Sequence, residues 1–244
     1  MPVCHLHLDA SMPLSLNTQP TAVATAIRAA KDGDAAALTA ALALPGAAGQ
    51  DFAPALFEAA FHGRPECVRI LISSCDSASQ GSRALRIAAE LGHLECLAML
   101  IPVSDPRSSN SAALGLAADS GNPECVALLI PVSDPKALNS DALCRAAEFG
   151  HAECVALLIP VSDPKAGASE ALAKAATHGQ KRCVELLAPF SNLADFEKAS
   201  AAAKEWSHPE LAAMIDAMAL SIAENKALGA IVQPGASRRS RPAL

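Results

Sequence analysis

Tyrosine is absent from this 244-residue sequence, tryptophan occurs once, and aromatic residues together make up 3%. The apolar mass is instead Ala, Leu, Val and Ile, and Ala and Leu are strong helix formers. Small side chains of this kind suit closely packed helices better than a thick sheet sandwich. Positive charge is also scarce: 19 Lys and Arg stand against 25 Asp and Glu, a net charge of −6. That balance argues against nucleic acid as a partner, because its recognition needs a concentrated basic surface. The one basic cluster, Arg238, Arg239 and Arg241, lies beside Pro and Ser and reads as a solvated end. No apolar run approaches the ~18 residues of a membrane span. The apolar stretch 211–223 is broken by Asp216. The N-terminus lacks a basic n-region and carries Asp9, so it does not read as a secretory signal. A cytoplasmic protein with reduced cysteines is expected, and delivery to another cell is left open. Gly-rich phosphate loops, nucleophile elbows and zinc-helix motifs are missing too, so no catalytic residue and no cofactor is expected.

What is present is a period. Cysteine recurs every 29 residues, at Cys67, Cys96, Cys125, Cys154 and Cys183. Glycine keeps the same step at Gly63, Gly92, Gly121, Gly150 and Gly179, and serine at Ser82, Ser111, Ser140 and Ser169. Self-similarity at a fixed step is the mark of a stacked repeat protein. Such stacks are usually binding surfaces.

One unit shows the local logic. Ser140 is placed to cap a helix on which Ala142, Leu143, Ala146 and Ala147 form an apolar stripe. Gly150 stops that helix by taking a left-handed conformation. A second helix is expected over about 152–159, with Glu153 in its first turn and Cys154, Val155, Leu157, Leu158 and Ile159 on its apolar face. Pro160 ends it, and the string Pro-Val-Ser-Asp-Pro that follows reads as a turn. Helices this short are unstable alone, so they must bury their faces against neighbouring units. Ala pairs at 59–60, 88–89, 117–118, 146–147 and 175–176 mark where first helices approach closely.

The strings AAFHGRPECVRILI, AAELGHLECLAMLI, AADSGNPECVALLI, AAEFGHAECVALLI and AATHGQKRCVELLA strongly resemble the helical half of the ankyrin repeat. Ankyrin units have a period of about 33 and open with Thr-Pro-Leu-His. Here only the leucine survives, at Leu56, Leu85, Leu114, Leu143 and Leu172. The resemblance implies an all-α, helical-hairpin solenoid with shortened inter-repeat loops and little or no β-strand. The expected organisation is a mobile arm over 1–20, a repeat domain over 21–216, a candidate last helix over 217–231 and a disordered tail over 232–244. Within the domain lie a degenerate first repeat at 21–45, five regular repeats over about 54–192 and a capping unit at 193–216.

The resemblance also places Val or Ile where the periodic cysteines stand, so these read as small buried hydrophobes and not as metal or redox groups. Adjacent helices pack about 8–10 Å apart, too far for a disulfide between equivalent cysteines. His93-Leu94-Glu95-Cys96 and His151-Ala152-Glu153-Cys154 look like ligand clusters but occur in only two units, so they read as structural. Cys4, His5 and His7 have no partner cluster, and no metal site is expected. In ankyrin-like stacks the two residues before the glycine commonly face the concave side. Here these are Phe61 and His62, Glu90 and Leu91, Asp119 and Ser120, Glu148 and Phe149, and Thr177 and His178. Apolar anchors flanked by acids predict a basic protein partner, bound by a monomer with no membrane or nucleic-acid contact. A self-associating scaffold and an accessory subunit of an enzyme are the alternatives.

Overall fold

The computed structural model describes residues 21–74, 78–162 and 167–231. The expected N-terminal arm and C-terminal tail, with Cys4, His5, His7 and the Arg238–Arg239–Arg241 cluster, lie outside the described residues. The described residues form seven helical pairs. In the first two, α1 (Ala22–Asp32) precedes α2 (Ala35–Leu42), and α3 (Ala53–Phe61) precedes α4 (Pro65–Ile72). Next come α5 (Ala78–Glu90) with α6 (Leu94–Leu100), α7 (Ser108–Asp119) with α8 (Pro123–Leu129), and α9 (Ala137–Glu148) with α10 (Ala152–Leu158). The last are α11 (Gly167–Thr177) with α12 (Lys181–Leu187), and α13 (Leu193–Glu205) with α14 (Pro209–Ile231). No strand occurs among the described residues.

Each first helix packs on the first helices before and after it, and second helices from α2 to α12 stack in a parallel layer. The core is one continuous seam between the two layers. Its first-helix side is made by the Ala pairs, all fully buried, and by Leu56, Leu85, Leu114, Leu143 and Leu172. The second-helix side is made by the five cysteines and the residue after each, from Val68 to Val184. Alanine at the pairs lets the first-helix backbones approach closely, which larger side chains would prevent.

Every first helix of the regular units ends in the same turn. In the unit of α9 and α10, Gly150 adopts φ 81° and the amide of His151 donates to the carbonyl of Ala146 at 2.8 Å. This six-to-one bond satisfies a carbonyl that the helix end leaves free. The last pair keeps the turn without glycine: Ser207 takes φ 63° and the His208 amide donates to Ala203 at 2.8 Å.

The periodic serines do not cap their helices. α7 and α9 begin three residues before Ser111 and Ser140, and these serines sit inside the first turn at φ 60° and 64°. In that conformation the hydroxyl turns away from its own helix amides. Ser111 Oγ accepts the Asp134 amide at 2.8 Å, and Ser82 Oγ accepts the Asp105 amide at 3.0 Å. The serine thus ties its helix to the loop that leads into the next unit. That loop is compact: Asp105 and Asp134 carboxylates each accept the backbone amide two residues on, at 3.0 Å. Residues 217–231, the candidate last helix, continue α14 without a break.

Candidate functional site

The row of paired positions lies at the C-terminal ends of the first helices, α3, α5, α7, α9 and α11, immediately before the left-handed turn. Their backbone carbonyls are held by the next unit. Nε2 of His93 bonds the carbonyl of Phe61 at 3.1 Å, and Nε2 of His151 bonds that of Asp119 at 2.8 Å. Nδ2 of Asn122 donates to the carbonyls of Ala89 and Glu90 at 3.0 and 2.8 Å, and Gln180 reaches the carbonyl of Glu148 at 3.5 Å. The histidines of the His-x-Glu-Cys strings are therefore staples between units. Sequence reasoning gave them a local structural role and missed the long-range bond, which spans 32 residues. The turn glycine of the preceding unit makes room for each staple: a Cβ on Gly121 would clash with Nδ1 of His151.

Above this fixed backbone the side chains differ. Phe61, Leu91 and Phe149 are 41%, 42% and 52% exposed. Phe61 lies 6.1 Å from the Phe57 ring and 5.0 Å from the His62 ring, whose imidazole reaches Glu58 at 3.4 Å. Ser120 and His178 are exposed, while Thr177 turns its hydroxyl back to the carbonyl of Ala173. The acids of the row are largely engaged. Arg145 of the next unit stands 3.7 Å from Asp119 and 2.6 Å from Asp141. Lys174 bonds Glu148 at 2.9 Å, with His178 at 4.0 Å from the same carboxylate. These contacts hold the Arg145 and Lys174 pKa values above their usual range, chiefly through the hydrogen bonds to Asp141 and Glu148.

The row continues one unit further than the five strings suggest. With Ser207 in the glycine position, the residue before it is Trp206, the only tryptophan in the chain and 61% exposed. The sequence alone places Ser207 in the glycine position, and counting back one residue from it reaches Trp206. The periodic cysteines are buried free thiols. Burial pushes Cys96, Cys154 and Cys183 up to about 11 and Cys144 to about 12, so at neutral pH they are protonated and poorly nucleophilic. Among the described residues no three His, Cys, Asp or Glu converge as metal ligands, and no helix is long and apolar enough to cross a membrane.

A family model of three ankyrin repeats matches residues 26–112 and again 114–200. The chain belongs to the ankyrin-repeat family. The crystal structure of the ankyrin repeat domain of human ASB11 superposes on it with a TM-score of 0.62 at 18% identity. That match covers 78% of this chain and 96% of the human domain, and it shows the fold. No curated protein matches in sequence. Ankyrin repeats are in general protein–protein interaction modules, and this chain is an ankyrin solenoid of helical hairpins without strands among its described residues.

Proposed function

We propose that this ankyrin-repeat chain is a non-enzymatic module that acts as a monomer inside the cell. It binds a partner protein through the concave face formed by its first helices. The carrying observation is the exposure of Leu91, Phe149 and Trp206 at matching positions of separate units, with Phe61 exposed one residue before that position in its own unit, over a backbone that repeats and is bonded unit to unit. Large apolar groups on a rigid frame lose little entropy on binding, which is what interface anchors require. The acids of the row favour a basic partner less than their number suggests, because Asp119 and Glu148 already face Arg145 and Lys174. Apolar anchoring therefore carries this reading, with Glu90 the acid of the row that has no ion pair among the described residues.

The test is a pull-down from cell lysate with the wild-type chain beside a Phe61→Ala, Leu91→Ala, Phe149→Ala variant of equal melting temperature. A protein captured by the wild type and lost by the variant supports the face. Capture that survives moves binding to the loops. No capture, with a dimer by light scattering, favours self-association.

A further inference from the structure

On the same face, between α5, α7 and α9, lies a cleft of about 330 Å³. Its walls include Ala112, Leu114, Leu116 and Leu138. It is open because Gly115 stands where the neighbouring units carry Arg86 and Cys144. A Cβ at Gly115 would meet nothing closer than Asp141 Oδ2 at 3.6 Å. Arg86 enters the cleft, and Nη1 donates to Ser109 Oγ at 3.2 Å. Three residues earlier, on the same side of α5, the Arg83 guanidinium lies 4.6 Å over the ring of Phe57. That arginine borders a second cleft of about 510 Å³ with Ile27, Pro54 and Phe57 and two acids, Asp51 and Glu58.

These two arginines differ from the cations of α9 and α11. Arg145 and Lys174 are held by carboxylates. Neither Arg83 nor Arg86 has a carboxylate within ion-pair distance among the described residues. The acids at the first cleft are engaged elsewhere: Asp141 holds Arg145, and Asp134 caps the Lys136 amide. A guanidinium carries five donors in a planar fork that fits a carboxylate with two parallel bonds, and Arg86 spends one on Ser109.

The rim adds a second signal. Leu138 adopts φ 49° and is 64% exposed, and Ser109 adopts φ 53°. The two stand at equivalent positions of consecutive units, so the left-handed backbone is a feature of the repeat. Here it holds one apolar group at the mouth of the cleft and one hydroxyl against Arg86.

We propose that Arg86, seconded by Arg83, receives a carboxylate side chain of the partner protein, with flanking apolar side chains seated in the two clefts. This rests on the reading that the first-helix face binds protein. It reverses the charge expected from the sequence: at this part of the face the partner segment is acidic. A lysine or arginine seated against Arg86 would meet a guanidinium that has no carboxylate within ion-pair distance among the described residues.

Phage-displayed random 12-residue peptides selected on the full chain test this. The expected winners carry Asp or Glu next to Leu, Ile or Phe. The best, synthesised and titrated by fluorescence anisotropy, binds Arg86→Gln about tenfold more weakly or worse, as loss of a charge-assisted pair implies. Its Asn or Gln counterpart loses the same factor against the wild type. Gly115→Met, which fills the cleft without changing charge, also weakens it. Melting temperatures by circular dichroism verify that each variant folds. Neutral or basic winners, or acidic winners that bind Arg86→Gln equally, overturn the proposal. If basic winners are lost on the Phe61, Leu91, Phe149 triple variant, the face reading stands while this inference falls. If no peptide is enriched, the inference falls, and the pull-down decides the face reading separately.

Discussion

Gly121 sits at φ 70°, and a methyl group added to it would press on the ring of His151. Gly46 has φ 89° but nothing within 4 Å of such a methyl. Gly46→Ala therefore carries only the left-handed strain, about 1–2 kcal/mol, whereas Gly121→Ala adds loss of the His151 staple. Urea unfolding of the two variants should rank Gly121→Ala as clearly the more destabilised; equal losses would remove the staple from the account. The buried cysteines make a second residue-level prediction. Burial holds Cys96, Cys154 and Cys183 at about 11 and Cys144 at about 12, above the ordinary thiol value of 9.0. The unfolded chain therefore loses thiol protons first as pH rises. The stability the thiols contribute is complete below about pH 9 and declines as pH climbs through 11. Melting temperature should fall over that window, and fall less in a Cys96→Ala, Cys154→Ala variant, once each is referred to its own value at pH 7.

At the scale of the element, the turn after each first helix was legible in the sequence because a glycine at the C′ position is a local signal. The same rule explains the one miss in the row. Ser207 occupies that turn at φ 63°, so the register carries on to Trp206 although the glycine does not. Ser207→Gly should raise stability by about 1 kcal/mol, since glycine adopts this conformation without the Cβ penalty. Differential scanning calorimetry that shows no rise would mean the serine makes a compensating contact. The periodic serines were misread for a physical reason. A serine before an apolar stripe looks like a cap, and only the positive φ of Ser111, with its bond to the amide of Asp134, reveals a tie to the next unit. A bond spanning 23 residues leaves no local trace.

At the scale of the whole molecule, the stack holds because each unit touches only its neighbours, so a fault at one interface is felt by both flanking units. Ala147 is fully buried in α9, where first helices meet. Ala147→Leu should overpack that meeting and cost about 1–3 kcal/mol, read as a lower urea midpoint. An unchanged midpoint would place Ala147 outside the interface.

The repeat, the hairpin of each unit and the buried cysteine column follow from the sequence, because a 29-residue period, a C′ glycine and an apolar stripe are signals carried within one unit. Charge on the binding face does not. Glu148 and Asp119 read as free acids along the chain, yet Lys174 and Arg145, each 26 residues on, stand against them. Arg83 and Arg86 have no carboxylate within ion-pair distance among the described residues, and the absent side chain of Gly115 opens space beside one of them. Which charges cancel and which remain depends on the distance between side chains of successive units. Only the stacking of those units sets that distance.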